Sequence, residues 1–117
     1  MNPKLPSFAV LVLITASSAL HAAPAYNEDD AIALGKKGEC FKCHAVEKRK
    51  KAPSYREIAK KYANKPNAIN DLYLHITGTP TVKLDEGEEP HKGPPTKDRK
   101  ELENLIFWIL SRNAEPA

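Results

Sequence analysis

Five consecutive residues, Cys40-Phe41-Lys42-Cys43-His44, constrain this chain more than any other stretch. Two thiols three positions apart project from one helical turn, and the next residue offers an imidazole. Cys-x-x-Cys-His is the attachment sequence of a covalently bound haem c: the sulfurs reach two vinyl groups on neighbouring porphyrin edges while the imidazole meets the iron. Other uses of a cysteine pair fit worse. A thioredoxin-like motif needs a βαβ context, and the apolar spacing here is helical. A structural zinc site needs four ligands, and no second ligand pair stands at finger-like spacing. A disulfide between positions 40 and 43 would staple almost nothing. The chain therefore reads as one that folds around a single haem c, attached through Cys40 and Cys43 with His44 as an iron ligand.

A chain of 117 residues has room for one domain. Lys4, the apolar run from Phe8 to Leu20 and the small-residue exit Leu20-His21-Ala22-Ala23 read as a secretory signal peptide. Residues 1–22 are expected to be cleaved near Ala22 and Ala23, leaving a domain of residues 23–117 in the periplasm. The apolar run is shorter than the roughly 20 residues that span a bilayer, so no stable membrane insertion is expected. No cysteine stands near the cleavage region to carry a lipid. A domain this small buries little apolar surface alone, so a large flat porphyrin should become part of its core, and folding without haem should be poor.

The formal net charge of +3 is too weak to indicate a nucleic-acid partner. Charge is instead segregated: Lys48, Arg49, Lys50 and Lys51 form a basic run, and Asp85, Glu86, Glu88 and Glu89 an acidic one. Both suit solvated loops or a docking surface. Lys42 with the basic run would steer an acidic partner toward the haem edge.

The periodicity is helical. Asn27 is placed to cap a first helix with Glu28, Asp29 and Asp30 in its opening turn, the sign that suits a helix N-terminus. Ala31, Leu34, Gly35 and Gly38 share a face small enough for another helix to cross closely, and this helix is expected to run straight into the haem motif. Ser54 to Glu57 matches a capping box, followed by Tyr55, Ile58, Ala59 and Tyr62 at helical spacing. Lys65-Pro66-Asn67 interrupts the pattern, which resumes with Ile69, Leu72, Tyr73 and Ile76 and ends at Gly78-Thr79-Pro80. Residues 78–97 show no sustained period and read as a long loop. Asp98 opens the last helix with Glu101 three residues on, and Leu102, Leu105, Ile106, Ile109 and Leu110 form its apolar stripe. No strand is expected: the fold is all-α, a few short helices around one haem.

The blocks Lys36 to Val46, Ala52-Pro53-Ser54-Tyr55, Ile58 to Tyr62 and Phe107 to Ser111 stand in an order and spacing that resembles the short bacterial class I monohaem cytochromes c, periplasmic electron carriers. The resemblance implies the class I cytochrome c fold with about four short helices, electron transfer rather than enzymatic catalysis, and a redox partner such as another cytochrome or a larger haem enzyme complex. It further implies that the first and last helices cross near Gly38 and Trp108. The carbonyl of Pro53 should hold the second nitrogen of His44 and raise its donor strength.

The chain departs from that family at the second axial ligand, where these cytochromes present a methionine from a proline-rich loop before the last helix. The only methionine is Met1, inside the expected leader. The matching loop reads Pro90-His91-Lys92-Gly93-Pro94-Pro95, and His91 lies 17 residues before Trp108. The resemblance thus implies His91 as the sixth ligand, giving His/His ligation and a lowered potential. Other readings stay open: a surface His91 over a five-coordinate iron, or Lys92, whose ammonium must first lose its proton. His75, on the third helix, occupies a position that in the family often faces a haem propionate. Trp108 reads as a core residue. A second class of function, a haem-based gas-binding or sensing protein, needs His91 to be labile or absent from the iron.

Overall fold

A computed structural model describes residues 2–16 and 24–113. The cleavage point expected beside Ala22 and Ala23 lies outside the described residues. Residues 2–16 form no helix or strand and leave Leu5, Phe8 and Val10 to Ile14 exposed, so the core is built without them. Among the described residues no helix is long and apolar enough to cross a membrane.

Four α-helices follow: α1 Glu28–Lys37, α2 Tyr55–Tyr62, α3 Ala68–Thr77 and α4 Arg99–Ser111. Each start is fixed by local chemistry where the sequence places a cap. The Asn27 side chain accepts from the Asp30 amide at 2.9 Å. Ser54 and Glu57 complete a reciprocal capping box, at 3.1 Å from the Glu57 amide to the Ser54 hydroxyl and 2.6 Å from the Ser54 amide to the Glu57 carboxylate. Those bonds hold the Glu57 carboxyl below its ordinary pKa. Asp98 accepts from the Lys100 and Glu101 amides. Glu101 itself turns to the Thr96 hydroxyl, which donates at 2.6 Å, and that hydroxyl accepts from the Asp98 amide.

The core joins Ala31 and Leu34 of α1, Tyr55 of α2, Leu72 and Ile76 of α3, and Leu102, Leu105, Ile106, Trp108 and Ile109 of α4. At about 1.5 to 3 kcal/mol for each fully buried large apolar side chain, α4 contributes the greatest share. Trp108 is the largest fully buried side chain and meets Tyr55 edge-on at 5.2 Å and Phe41 at 6.2 Å between ring centroids.

Helices α1 and α4 are tied at their polar rim. The Asn27 amide donates to Asn104 Oδ1 at 2.7 Å, and Asn104 Nδ2 returns a bond to the Asn27 carbonyl at 2.9 Å. Trp108 Nε1 donates to Glu28 at 3.3 Å, and Arg112 reaches Glu28 at 3.6 Å. Two glycines at the end of α1 meet other groups besides α4. A Cβ there would stand 3.0 Å from Pro94 Cα, and one on Gly35 would stand 2.9 Å from the Phe41 ring. The Gly35 and Gly38 end of that face thus receives an aromatic ring and a loop, while Ala31 and Leu34 pack into one core with α4.

Two expectations are corrected. Helix α1 ends at Gly38, and Glu39, at φ 57° and ψ 20°, turns the chain into a separate 3-10 turn, Cys40–Lys42. Placing a residue with a Cβ in that region costs about 1 to 2 kcal/mol, offset in part by the Glu39 to Lys42 pair at 2.7 Å. The stretch expected as a long loop contains an antiparallel hairpin, β1 Thr81–Leu84 and β2 Gly87–Pro90, in the register Thr81 to Pro90 and Leu84 to Gly87.

The hairpin also accounts for the two charge runs. Arg49 pairs with Asp85 at 3.1 Å, Lys51 meets Glu86 at 4.0 Å, and the Asp85 amide donates to the Lys51 carbonyl at 3.3 Å. Lys50 is turned to the Phe41 carbonyl at 3.0 Å. Part of each run thus binds the other and Lys50 the 3-10 turn, while Lys42 and Lys48 stay exposed. Replacing Asp98 with Ala should remove the α4 cap and lower stability by about 1 kcal/mol, read as a fall in the denaturant midpoint at unchanged slope.

Candidate haem site

A cleft of about 650 Å³ opens between the haem-motif turn, α2, α3, the hairpin and α4. That volume lies within the range of cofactor pockets. Its apolar lining comes from Leu72 and Ile76 of α3, Leu105 and Ile109 of α4, Ile58 of α2, and Val82 and Leu84 of β1. The alternation along β1 turns Val82 and Leu84 inward while Thr81 and Lys83 stay exposed, so the hairpin supplies a wall that sequence periodicity did not reveal.

Cys40 and Cys43 both line this cleft, partly buried and unpaired with each other. The 3-10 turn that carries them closes with the Cys43 amide on the Cys40 carbonyl at 3.2 Å and the His44 amide on the same oxygen at 3.0 Å. Burial pushes the Cys40 thiol above its ordinary pKa, opposed by the Tyr55 side chain beside it.

His44 is held from behind. The Ala52 amide donates to the Cys43 carbonyl at 3.0 Å, the Tyr55 amide to the Ala45 carbonyl at 2.9 Å and the Arg56 amide to the Val46 carbonyl at 3.1 Å. This short backbone zipper brings Pro53 against the ring, and His44 Nδ1 lies 2.6 Å from the Pro53 carbonyl. A carbonyl can only accept, so Nδ1 carries a proton, and the neutral ring then has its lone pair on Nε2. Tyr55 stacks on the His44 ring at 5.2 Å and 28°.

On the opposite side His91 directly follows β2. Its amide donates to the Pro80 carbonyl at 2.8 Å, closing the base of the hairpin. Gly93, two residues on, rests on the end of α3, where a Cβ would collide with the Ile76 carbonyl oxygen. The same loop then meets Gly38 through Pro94, so residues 91–94 are clamped between α1 and α3. The His91 ring centroid stands 6.3 Å from that of His44 at 58°, and its Nδ1 is buried without a hydrogen-bond partner. Burial, with His75 and His44 nearby, holds its pKa down to about 4, against a smaller opposing effect of the His75 backbone.

His75 does not stand alone at the cleft margin: its ring lies 4.2 Å from that of His91 at 48°. Burial lowers its pKa as well. Sequence spacing gives no sign of this contact, because the hairpin between the two residues brings them together. Trp108 Nε1 is engaged by Glu28, as described above, and is directed to the α1 rim. Lys92 is exposed.

Among the described residues no group of three His, Cys, Asp or Glu side chains is arranged to hold a bare metal ion. A porphyrin supplies four equatorial nitrogens itself, and it asks the chain only for thiols, axial donors and an apolar slot. The paired cysteines, the tautomer fixed on His44, the partnerless buried nitrogen of His91 and the apolar cleft fit that group.

Residues 32–113 match the family model described as cytochrome c. The chain is 43% identical over 96 residues to cytochrome c-552 of Nitrosomonas europaea, covering 82% of this chain and 89% of that protein. It is 31% identical over 103 residues to cytochrome c-551 of Pseudomonas aeruginosa, covering 87% and 94%. Among solved structures, the class 1 cytochrome MtoD of Sideroxydans lithotrophicus ES-1 superimposes with a TM-score of 0.73 at 38% identity, over 77% of this chain and all of that one.

Gly93→Ala should force the 91–94 loop off α3. The expected cost is about 1 to 3 kcal/mol, with a change in the haem absorption spectrum that an equally destabilising surface substitution does not produce.

Proposed function

The chain belongs to the cytochrome c family, an electron carrier with one covalently bound haem rather than an enzyme, and from that premise we propose a periplasmic carrier whose iron is held by His44 and His91. The observation that carries this reading is the 6.3 Å between the two ring centroids across the cleft. Two imidazoles bound to one metal from opposite sides, each about 2 Å from it, have centroids about 6 Å apart. The buried, partnerless Nδ1 of His91 and the lack of any methionine other than Met1 support the same reading.

When bound, the haem supplies a single-electron couple between ferric and ferrous iron. The chain's own residues set the conditions for it. Pro53 holds the Nδ1 proton of His44, which fixes the ring and strengthens Nε2 as a donor. Cys40 and Cys43 would hold the haem covalently at the 3-10 turn. Leu72, Ile76, Leu105 and Ile109 keep water from the inner part of the cleft. His91 in place of a thioether stabilises the ferric state, so the potential is lowered relative to Met/His carriers; axial ligands move haem potentials over about 0.8 V. A lower potential suits a redox partner protein at the reducing end of a chain, another cytochrome or a larger haem enzyme complex. Export is supported by Lys4, the apolar run to Leu20 and the small-residue exit after it. An open gas-binding position is disfavoured, because two imidazoles crowd the distal side.

The test is His91→Met made together with His75→Ala, so that one distal donor remains. A low-spin iron with a raised reduction potential is expected. An unchanged potential and spectrum would reject His91 as the ligand.

A further inference from the structure

His75 and His91 present two imidazoles to the distal side of one cleft, 4.2 Å apart between ring centroids. An iron that already holds His44 has room for one of them. The two rings are mounted differently. His91 hangs from the clamped loop beyond β2, whereas His75 sits in the last turn of α3. Among the described residues the His75 ring makes no hydrogen bond and no ion pair, so its nitrogens are committed to no other partner.

We propose that His75 is a second distal ligand, stationed beside His91 to take the iron when His91 leaves it. The proposal rests on the reading of His91 as resident ligand and adds a third iron-binding side chain to His44 and His91. The distance suits the exchange: a step between staggered rotamers swings an imidazole by about 4 Å, close to the separation of the two rings. Helix α3 need not unfold for the ring to make that step. In the exchange one coordinate bond breaks and one forms. Each nitrogen keeps its own lone pair, so no electron, proton or co-reactant is consumed. The consequence is a sixth position that stays closed to small gaseous ligands even when the loop moves.

The test uses the haem-loaded protein and reads electron paramagnetic resonance, absorption and carbon monoxide binding in three variants. His91→Ala should remain low-spin with shifted g values and should not bind carbon monoxide rapidly. His75→Ala should still show His91 on the iron. His91→Ala combined with His75→Phe, which keeps a ring in the packing but removes the donor, should become high-spin and bind carbon monoxide. A high-spin iron in His91→Ala alone overturns the proposal while leaving His91 as ligand. A high-spin iron in His75→Ala with a parental spectrum in His91→Ala overturns both assignments, making His75 the resident ligand. A low-spin iron in the double variant shows that neither residue is the ligand.

Discussion

The rest of the fold depends on the contact between its first and last helices. Asn27 and Asn104 exchange two hydrogen bonds across 77 positions of sequence, with Trp108 and Arg112 meeting Glu28 beside them. The haem motif hangs from the end of α1, while α4 supplies Leu105 and Ile109 to the cleft. Without that closure the thiols and the apolar wall would lack a common frame. A contact of such sequence separation carries a large loop-closure cost, which the burial of α4's apolar face must outweigh.

Around this frame the two sides of the cleft are built by different means. The His44 side is local: a backbone zipper between residues 43–46 and 52–56 fixes Pro53 on the ring, and Tyr55 links that ring to Trp108 in the core. The His91 side is non-local. It needs Gly38 at the end of α1, Ile76 of α3 and Pro80 ahead of β1 to position one loop. Ionic contacts from Arg49 and Lys51 then join the hairpin tip to the loop beyond His44. Both partners of the Arg49 pair are about half exposed, so these contacts orient the hairpin more than they stabilise the domain.

Much of the fold was legible because helix signals are local. Asn27, the box of Ser54 and Glu57, and Asp98 each mark a start that the structure shows at the same residue. The attachment cysteines and the packing of Trp108 were legible for the same reason. The hairpin was not: β2 is exposed throughout, so its residues carry no alternation to read, and only Val82 and Leu84 mark β1. Helix α1 stops short of the motif because Glu39 adopts a left-handed conformation that nothing in its residue type announces. The pairing within the charge runs, and the approach of His75 to His91, follow from the hairpin and stayed hidden with it.

The bond from the His91 amide to the Pro80 carbonyl closes residues 81–90 at their base, so the chain leaves and re-enters the body side by side. The anchor of His91 is therefore set at the base of the hairpin and not at its tip. Substitutions at the exposed tip leave Val82 and Leu84 in the cleft wall, so the outer rim of the cleft can vary while its inner lining is kept.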